Sequence, residues 1–241
     1  MYICNRNHIK HNQMGKYIRT LTILFDTELK KTEIPLFRGA ILHALGEKAN
    51  TLFHNHSEGN TFRYSYPLIQ YKQLGGKAAI VCIEAGADII GEFLTKADAS
   101  LRIGYRQIEC NTLKIYTSRI LVQTWEEQFH YHLTRWLPLN SKNYLAYQSA
   151  ESVIERMELL EGILKGNILS TLKGLGIFLE QELQLKITDI GDPYLVRNKG
   201  IKLMAFNADF ICNLSIPNNI GLGKNASIGY GTVHQHKKTQ S

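Results

Sequence analysis

The sequence predicts an α+β chain of two tandem ferredoxin-like domains, each with the RRM-like order βαββαβ. Three observations predict it. Residues 17–120 run through strand-like and helix-like stretches in the order β-α-β-β-α-β. The second half repeats strand and helix signals in a similar order without visible sequence identity to the first. The 241 residues also suffice for two domains of roughly 100–120 residues each. No low-complexity linker divides them, so the boundary near residue 120 rests on the repeated order alone. The expected domains are 1–119 and 120–241.

Residues 1–15 read as a loose lead-in. Tyr17–Phe25 alternates apolar and polar residues and is expected to be a strand. After Pro35, the helical spacing of Phe37, Ile41, Leu42 and Leu45 predicts a helix over Leu36–Ala49. The polar turn Ser57–Asn60 leads into a strand over Thr61–Tyr71, and Pro67 assigns that strand to an edge or a bulge. Gly75-Gly76 turns the chain. Lys77–Ile83, apolar after its lysine, reads as a central strand, Ala85–Ala97 as a helix and Thr112–Ile120 as a strand. In the second half, Ile120–Leu133 reads as a strand carrying Trp125, Phe129 and Tyr131, with a turn at Pro138. The strongest helical pattern spans Ser152–Lys173, with Val153, Ile154, Met157, Leu160, Ile163, Leu164, Ile168 and Leu172 on one face. Gly162 and Gly166 weaken it by about 1 kcal/mol each, so packing must support it. A second helix is expected over Leu175–Gln184. Strands are expected at Leu185–Ile190, at Ile201–Cys212 and in the glycine-rich tail.

With 44% hydrophobic and 20% charged residues, the composition is that of a globular protein. No run approaches the roughly 18–20 apolar residues that span a bilayer. The polar N-terminus lacks a signal core, which makes the cytoplasm the default location and no membrane partner expected. Cys4, Cys82, Cys110 and Cys212 are scattered and form no CxxC pair, so they read as small buried hydrophobes in a reducing compartment. A formal charge of +7 and a pI near 9.1 favour a polyanionic partner, nucleic acid included, but only weakly.

The densest chemistry lies in Leu52–Lys72, LFHNHSEGNTFRYSYPLIQYK. On an extended segment, His54 and His56 share one face. Such a pair can be a general acid and base, half of a metal site or a packed polar pair. Two histidines fall short of the three or four ligands zinc usually takes, and no spacing singles out a third among His8, His11, His130, His132, His234 and His236. His43, on the first predicted helix, reads as a packed or surface residue. Arg63, Tyr64, Tyr66 and Lys72 follow the pair. Imidazoles, phenols and cations together suit RNA cleavage by a neighbouring 2′-hydroxyl, which needs no metal because the nucleophile belongs to the substrate.

The tail GLGKNASIGYGTV contains Gly221, Gly223, Lys224, Ser227, Gly229 and Gly231. Gly221-x-Gly223-x-x-Ala226 fits the loose dinucleotide pattern, but too little chain follows for a βαβ unit. It also fails as a P-loop, because Asn225 follows Lys224 and position 218 is not glycine. Two readings stay open at this level: a loop whose N–H groups approach a phosphodiester, and a bulged hairpin between edge strands.

Taken together, FRGAILHAL (37–45), LFHNH (52–56), YSYPLIQYK (64–72), WLPLN (136–140), ILKGNIL (163–169) and LSIPNNIGLGKNASIGYG (214–231) resemble the CRISPR-associated endoribonucleases that cut repeat transcripts into guide RNAs. Within the RAMP superfamily the likeness is to subgroup b of the sixth Cas family, and it covers most of the chain. The resemblance implies two ferredoxin-like domains and metal-independent, cofactor-free cleavage of CRISPR repeat RNA, leaving a 5′-hydroxyl and a 2′,3′-cyclic or 3′ phosphate. It implies catalysis by His54 and His56 with a downstream tyrosine, Tyr64 in preference to Tyr66. Basic residues, taken as Arg38, Arg63 and Lys72, are expected to hold phosphates together with the loop residues Gly221, Gly223, Lys224, Ser227, Gly229 and Gly231. Repeat RNA is the implied partner. Other subunits of a CRISPR complex and a second copy of the chain are further candidates. A non-catalytic guide-RNA-binding subunit is the alternative reading.

Overall fold

A computed structural model describes residues 15–45, 66–96 and 100–236. The first sheet is fully antiparallel, with β1 (Lys16–Glu28), β2 (Ile69–Leu74), β3 (Lys77–Ile83) and β6 (Thr112–Val122) in the order β2-β3-β1-β6. Helices α1 (Ile34–Leu45) and α2 (Ala85–Lys96) accompany it, and the small hairpin β4 (Ser100–Ile103)–β5 (Arg106–Glu109) precedes β6. The second sheet orders its strands β11-β7-β10-β8, from β7 (Thr124–Trp136), β8 (Leu185–Ile190), β10 (Ile201–Leu214) and β11 (Thr232–Gln235); β9 (Tyr194–Asn198) pairs with the outer part of β10. Read by position within each half, both sheets have the ferredoxin-like order 4-1-3-2.

Alternation along β1 explains how the halves meet. Leu21, Ile23 and Phe25 face a core with Phe37 and Ile41 of α1 and with Tyr71. The intervening side chains point the other way, and Ile18 joins the larger second core with Ile83 and Val122. That core is sealed by α4 (Val153–Gly174), whose Leu160, Leu164, Ile168 and Leu172 meet Tyr131, Leu133 and Phe210. Ser152 caps α4 by accepting the N–H of Glu155.

Several expectations are corrected. Val153 and Ile154 lie on the exposed side of α4, so its buried seam is narrower than the sequence pattern. Leu175–Gln184 is not helical: α4 ends at Gly174, Gly176 turns the chain at φ +68°, and Leu175, Ile177 and Leu183 then enter the core from an irregular segment. A short helix not foreseen, α3 (Ser141–Ser149), starts at Asn140, whose side chain accepts the N–H of Asn143. Pro67 lies before β2, which is an edge strand as expected. The helix from Leu36 is α1, starting at Ile34, and its expected last residues fall outside the described ones, as do 61–65 of the expected strand. Cys82, Cys110 and Cys212 are free and buried, in line with their reading as small buried hydrophobes. In the second half, no helix joins the third strand to the fourth. The glycine-rich segment, with one 3-10 turn at Ala226–Ile228, takes that place.

Candidate nucleic-acid interface

The two sheets turn their helix-free faces toward a shared cleft of about 750 Å³. Thr20 and Thr22 of β1 and Ser118 of β6 stand on one wall, Thr134 and Thr232 on the other. Hydroxyl-rich walls offer hydrogen bonds without fixed negative charge. Lys31, Arg135 and His234 add positive or protonatable groups. Arg135 is buried, with φ +51°; its guanidinium stacks 4.3 Å over the Tyr230 ring and donates to the Lys31 carbonyl. Burial, reinforced by the charges of His132, Lys72 and Lys31, holds the His234 imidazole below the usual histidine range. It therefore enters the cleft neutral near pH 7, able to donate or accept a hydrogen bond.

The glycine-rich loop closes this cleft and is clamped by the first half. Gln70 and Lys72 share one face of β2, while Ile69 and Tyr71 share the core face. The Gln70 side chain accepts the Gly221 N–H at 2.8 Å and donates to the Tyr66 hydroxyl at 2.9 Å, and that hydroxyl donates to the Gly221 carbonyl at 2.8 Å. The Lys72 amine donates to the Ala226 carbonyl at 3.3 Å and to Thr232 Oγ1 at 3.1 Å. The chain itself dictates two of the loop glycines. Gly231 lies at φ +58°, and a Cβ there would collide with the Leu222 carbonyl. Gly223 lies at φ +78°, against the Asn167 side chain.

These contacts revise what the sequence assigned. Lys72 is 1% exposed, so it supports the loop from beneath and does not face a phosphate. Burial pushes its amine down to about 7. The N–H groups of Gly221 and Gly231 are spent on Gln70 and the Arg135 carbonyl, which removes them as phosphate donors. Gly229 is buried and lines the cleft. Lys224 is exposed, and Gly223 and Ser227 are partly so, leaving this tip to meet a ligand. Arg38 is half-buried on α1, close enough to Tyr71 for its charge to act there. Tyr66, the second candidate for the catalytic tyrosine, has its hydroxyl committed at both ends, and burial raises its pKa. His54, His56, Arg63 and Tyr64 lie outside the described residues. The chain bearing them runs from the end of α1 to Tyr66, so it rejoins the described structure at the anchor of the glycine loop.

Sequence reasoning missed Lys31, Arg135 and His234, and it sought a third ligand only for His54 and His56. On adjacent antiparallel strands, His132 of β7 faces His234 of β11, and Asp209 of β10 faces His132. His132, Asp209 and His236 place their ligand atoms within 4.8 Å of one another. The available signal was a pair of HxH repeats, 130–132 and 234–236, whose imidazoles would share one face on an extended chain.

The sequence matches the family models described as the Cas6b N-terminal domain, over residues 16–120, and the Cas6b C-terminal domain, over residues 123–236. It is 40% identical over 101 residues to an uncharacterized protein of Methanocaldococcus jannaschii, MJ0978, covering 42% of this chain and 67% of that one. The fold is similar to a crystal structure of Cas6b at a TM-score of 0.83 and 27% identity, spanning 92% of this chain and 100% of that one. It is also similar to the crystal structure of a CRISPR RNA processing endoribonuclease, Cas6b, at a TM-score of 0.70, 24% identity and the same coverage. A Cas6 product complex shares the fold at 12% identity and a TM-score of 0.55, covering 92% of this chain and 100% of that one. The two family matches lie end to end over nearly the whole chain, and the chain belongs to the Cas6b family.

Proposed function

We propose that this chain is an endoribonuclease that cuts CRISPR repeat RNA into guide RNA without a metal ion. His54 and His56 serve as general base and general acid, and Tyr64 orients the reacting groups. The base takes the 2′-hydroxyl proton, the 2′-oxygen attacks the adjacent phosphorus, and the acid protonates the departing 5′-oxygen. The products are a 5′-hydroxyl and a 2′,3′-cyclic or 3′ phosphate. In this reading, residues 1–119 carry the histidine block and residues 120–241 carry the loop that holds the RNA.

One observation carries the proposal. Tyr66, where the described chain resumes ten residues after His56, is bonded to the loop that closes a hydroxyl- and cation-lined cleft. RNA held by Lys224 and Lys31 would then lie against that loop. The full engagement of the Tyr66 hydroxyl supports Tyr64 as the catalytic tyrosine. Cleavage of a cognate repeat should proceed in excess EDTA and stop when the scissile nucleotide is 2′-deoxy. The double variant His54→Ala/His56→Ala should lose cleavage by about a hundredfold or more while still binding the repeat in a gel-shift assay. Cutting of the deoxy substrate would overturn the mechanism. Tight binding with no cutting by the unmodified chain would identify a guide-RNA-binding subunit instead.

A further inference from the structure

The open face of the second sheet carries a second group of histidines, well away from the pair at 54 and 56 in sequence. His132 Nδ1 lies 2.7 Å from Asp209 Oδ1, and His236 Nε2 lies 3.1 Å from the same oxygen. The three residues come from β7, β10 and the end of β11, three neighbouring strands of one sheet. Asp209 pairs in register with His132 on one side and with Asp189 of β8 on the other, so a second carboxylate shares the face one strand away. The side chains are one-third to one-half exposed, which leaves the group open to solvent.

We propose that His132, Asp209 and His236 form a binding site for a divalent first-row transition ion of the zinc type. Two imidazole nitrogens and a carboxylate are a donor set such ions take, usually with water in the remaining position. Ligand atoms about 2.0–2.1 Å from a tetrahedral ion lie about 3.4 Å from one another. The observed 2.7 and 3.1 Å separations, with all three atoms inside 4.8 Å, reach that spacing by small side-chain rotations. Each imidazole binds through the nitrogen that now faces Asp209, its proton resting on the other ring nitrogen. An ion there ties His236, just past β11, to the middle of the sheet. The histidine pair proposed for RNA cleavage takes no part, so metal binding here and EDTA-resistant cleavage are independent results.

The full chain, freed of metal by chelator and dialysis, is titrated with Zn²⁺ calorimetrically and with Co²⁺ by visible absorption. A Co²⁺ band of tetrahedral strength at one equivalent is expected from the wild type and from His54→Ala/His56→Ala. Asp209→Asn and His132→Ala should lose that equivalent. Long-range ¹H–¹⁵N spectra of the wild type should report Zn²⁺ on His132 through Nδ1 and on His236 through Nε2, a readout that needs no variant to fold. Absence of the band, its survival in Asp209→Asn, or Zn²⁺ shifts confined to other histidines would each overturn the site.

Discussion

In the first half, the chain leaves β3 through helix α2 and a short hairpin before adding β6 as the fourth strand. In the second half, the same step from β10 to β11 is made by the glycine-rich segment around Ala226–Ile228. Helix α2 lays Ile90 into the core of its own half. The glycine-rich segment instead reaches across to β2 and is held there by Tyr66, Gln70 and Lys72. One topological position thus serves one half as a lid on its own core and serves both halves as a joint. The difference follows from side chains: a helix offers an apolar stripe, whereas a tight glycine loop offers backbone carbonyls and N–H groups that polar residues of another sheet can take up.

Four substitutions test this contrast beyond the catalytic variants. Gly231→Ala should be the most damaging, destabilising the chain by about 2 kcal/mol or more through a left-handed φ and the Leu222 carbonyl. Urea unfolding measures it, and a loss under about 0.5 kcal/mol would mean that the joint is soft.

Lys72→Met addresses the buried amine. Burial holds the folded amine at about 7, below the ordinary lysine value of 10.5, so between these values the unfolded chain binds more protons and wild-type stability rises with pH. The penalty is complete below pH 7 and fades toward pH 10.5. Relative to Lys72→Met, the wild type should therefore gain about 1 kcal/mol or more between pH 7 and 9.5, at about 1.4 kcal/mol per pKa unit. Parallel urea curves at the two pH values give the difference directly, and a gap that does not change with pH would show the amine to be solvated.

Lys224→Ala acts on the exposed tip of the loop. Stability should change by less than about 0.5 kcal/mol, while repeat-RNA affinity falls and its log–log salt dependence becomes shallower by about 0.7–1. An unchanged salt slope would remove Lys224 from the interface. The mildest change is Gly91→Ala on α2, where nothing lies within 4 Å of an added Cβ. It should stabilise the chain by about 0.5–1 kcal/mol, measured by thermal unfolding.

Much of the fold was legible because it depends on local pattern. Strand β1 was marked by alternation, β3 by its apolar run and helix α4 by helical spacing, each within a few residues. What escaped depends on partners distant in sequence. Leu175–Gln184 has helix-forming residues, yet Gly176 and the burial of Leu175, Ile177 and Leu183 hold it irregular. Lys72 looked like a phosphate ligand because a cation in a basic, aromatic stretch suggests solvent. Only the packing of Ala226 and Thr232 above it reveals a buried support. Arg135 and His234 lie far apart in the sequence and reach the same cleft because β7 and β11 pair. The glycine loop had two open readings, and left-handed φ with close neighbours explains Gly223 and Gly231 without any ligand.

The sharing of one core by both halves bears on biosynthesis. Ile18, Ile83 and Val122 belong to the first sheet but are buried among α4 and the second sheet, and the Lys16 amine donates to the Leu175 carbonyl. While the chain is still being made, these side chains have no cover until α4 follows, some thirty or more residues after Val122. The first sheet therefore emerges with an apolar face in need of a temporary companion, and a pause in translation between Val122 and α4 would leave the nascent chain open to chaperone capture or aggregation.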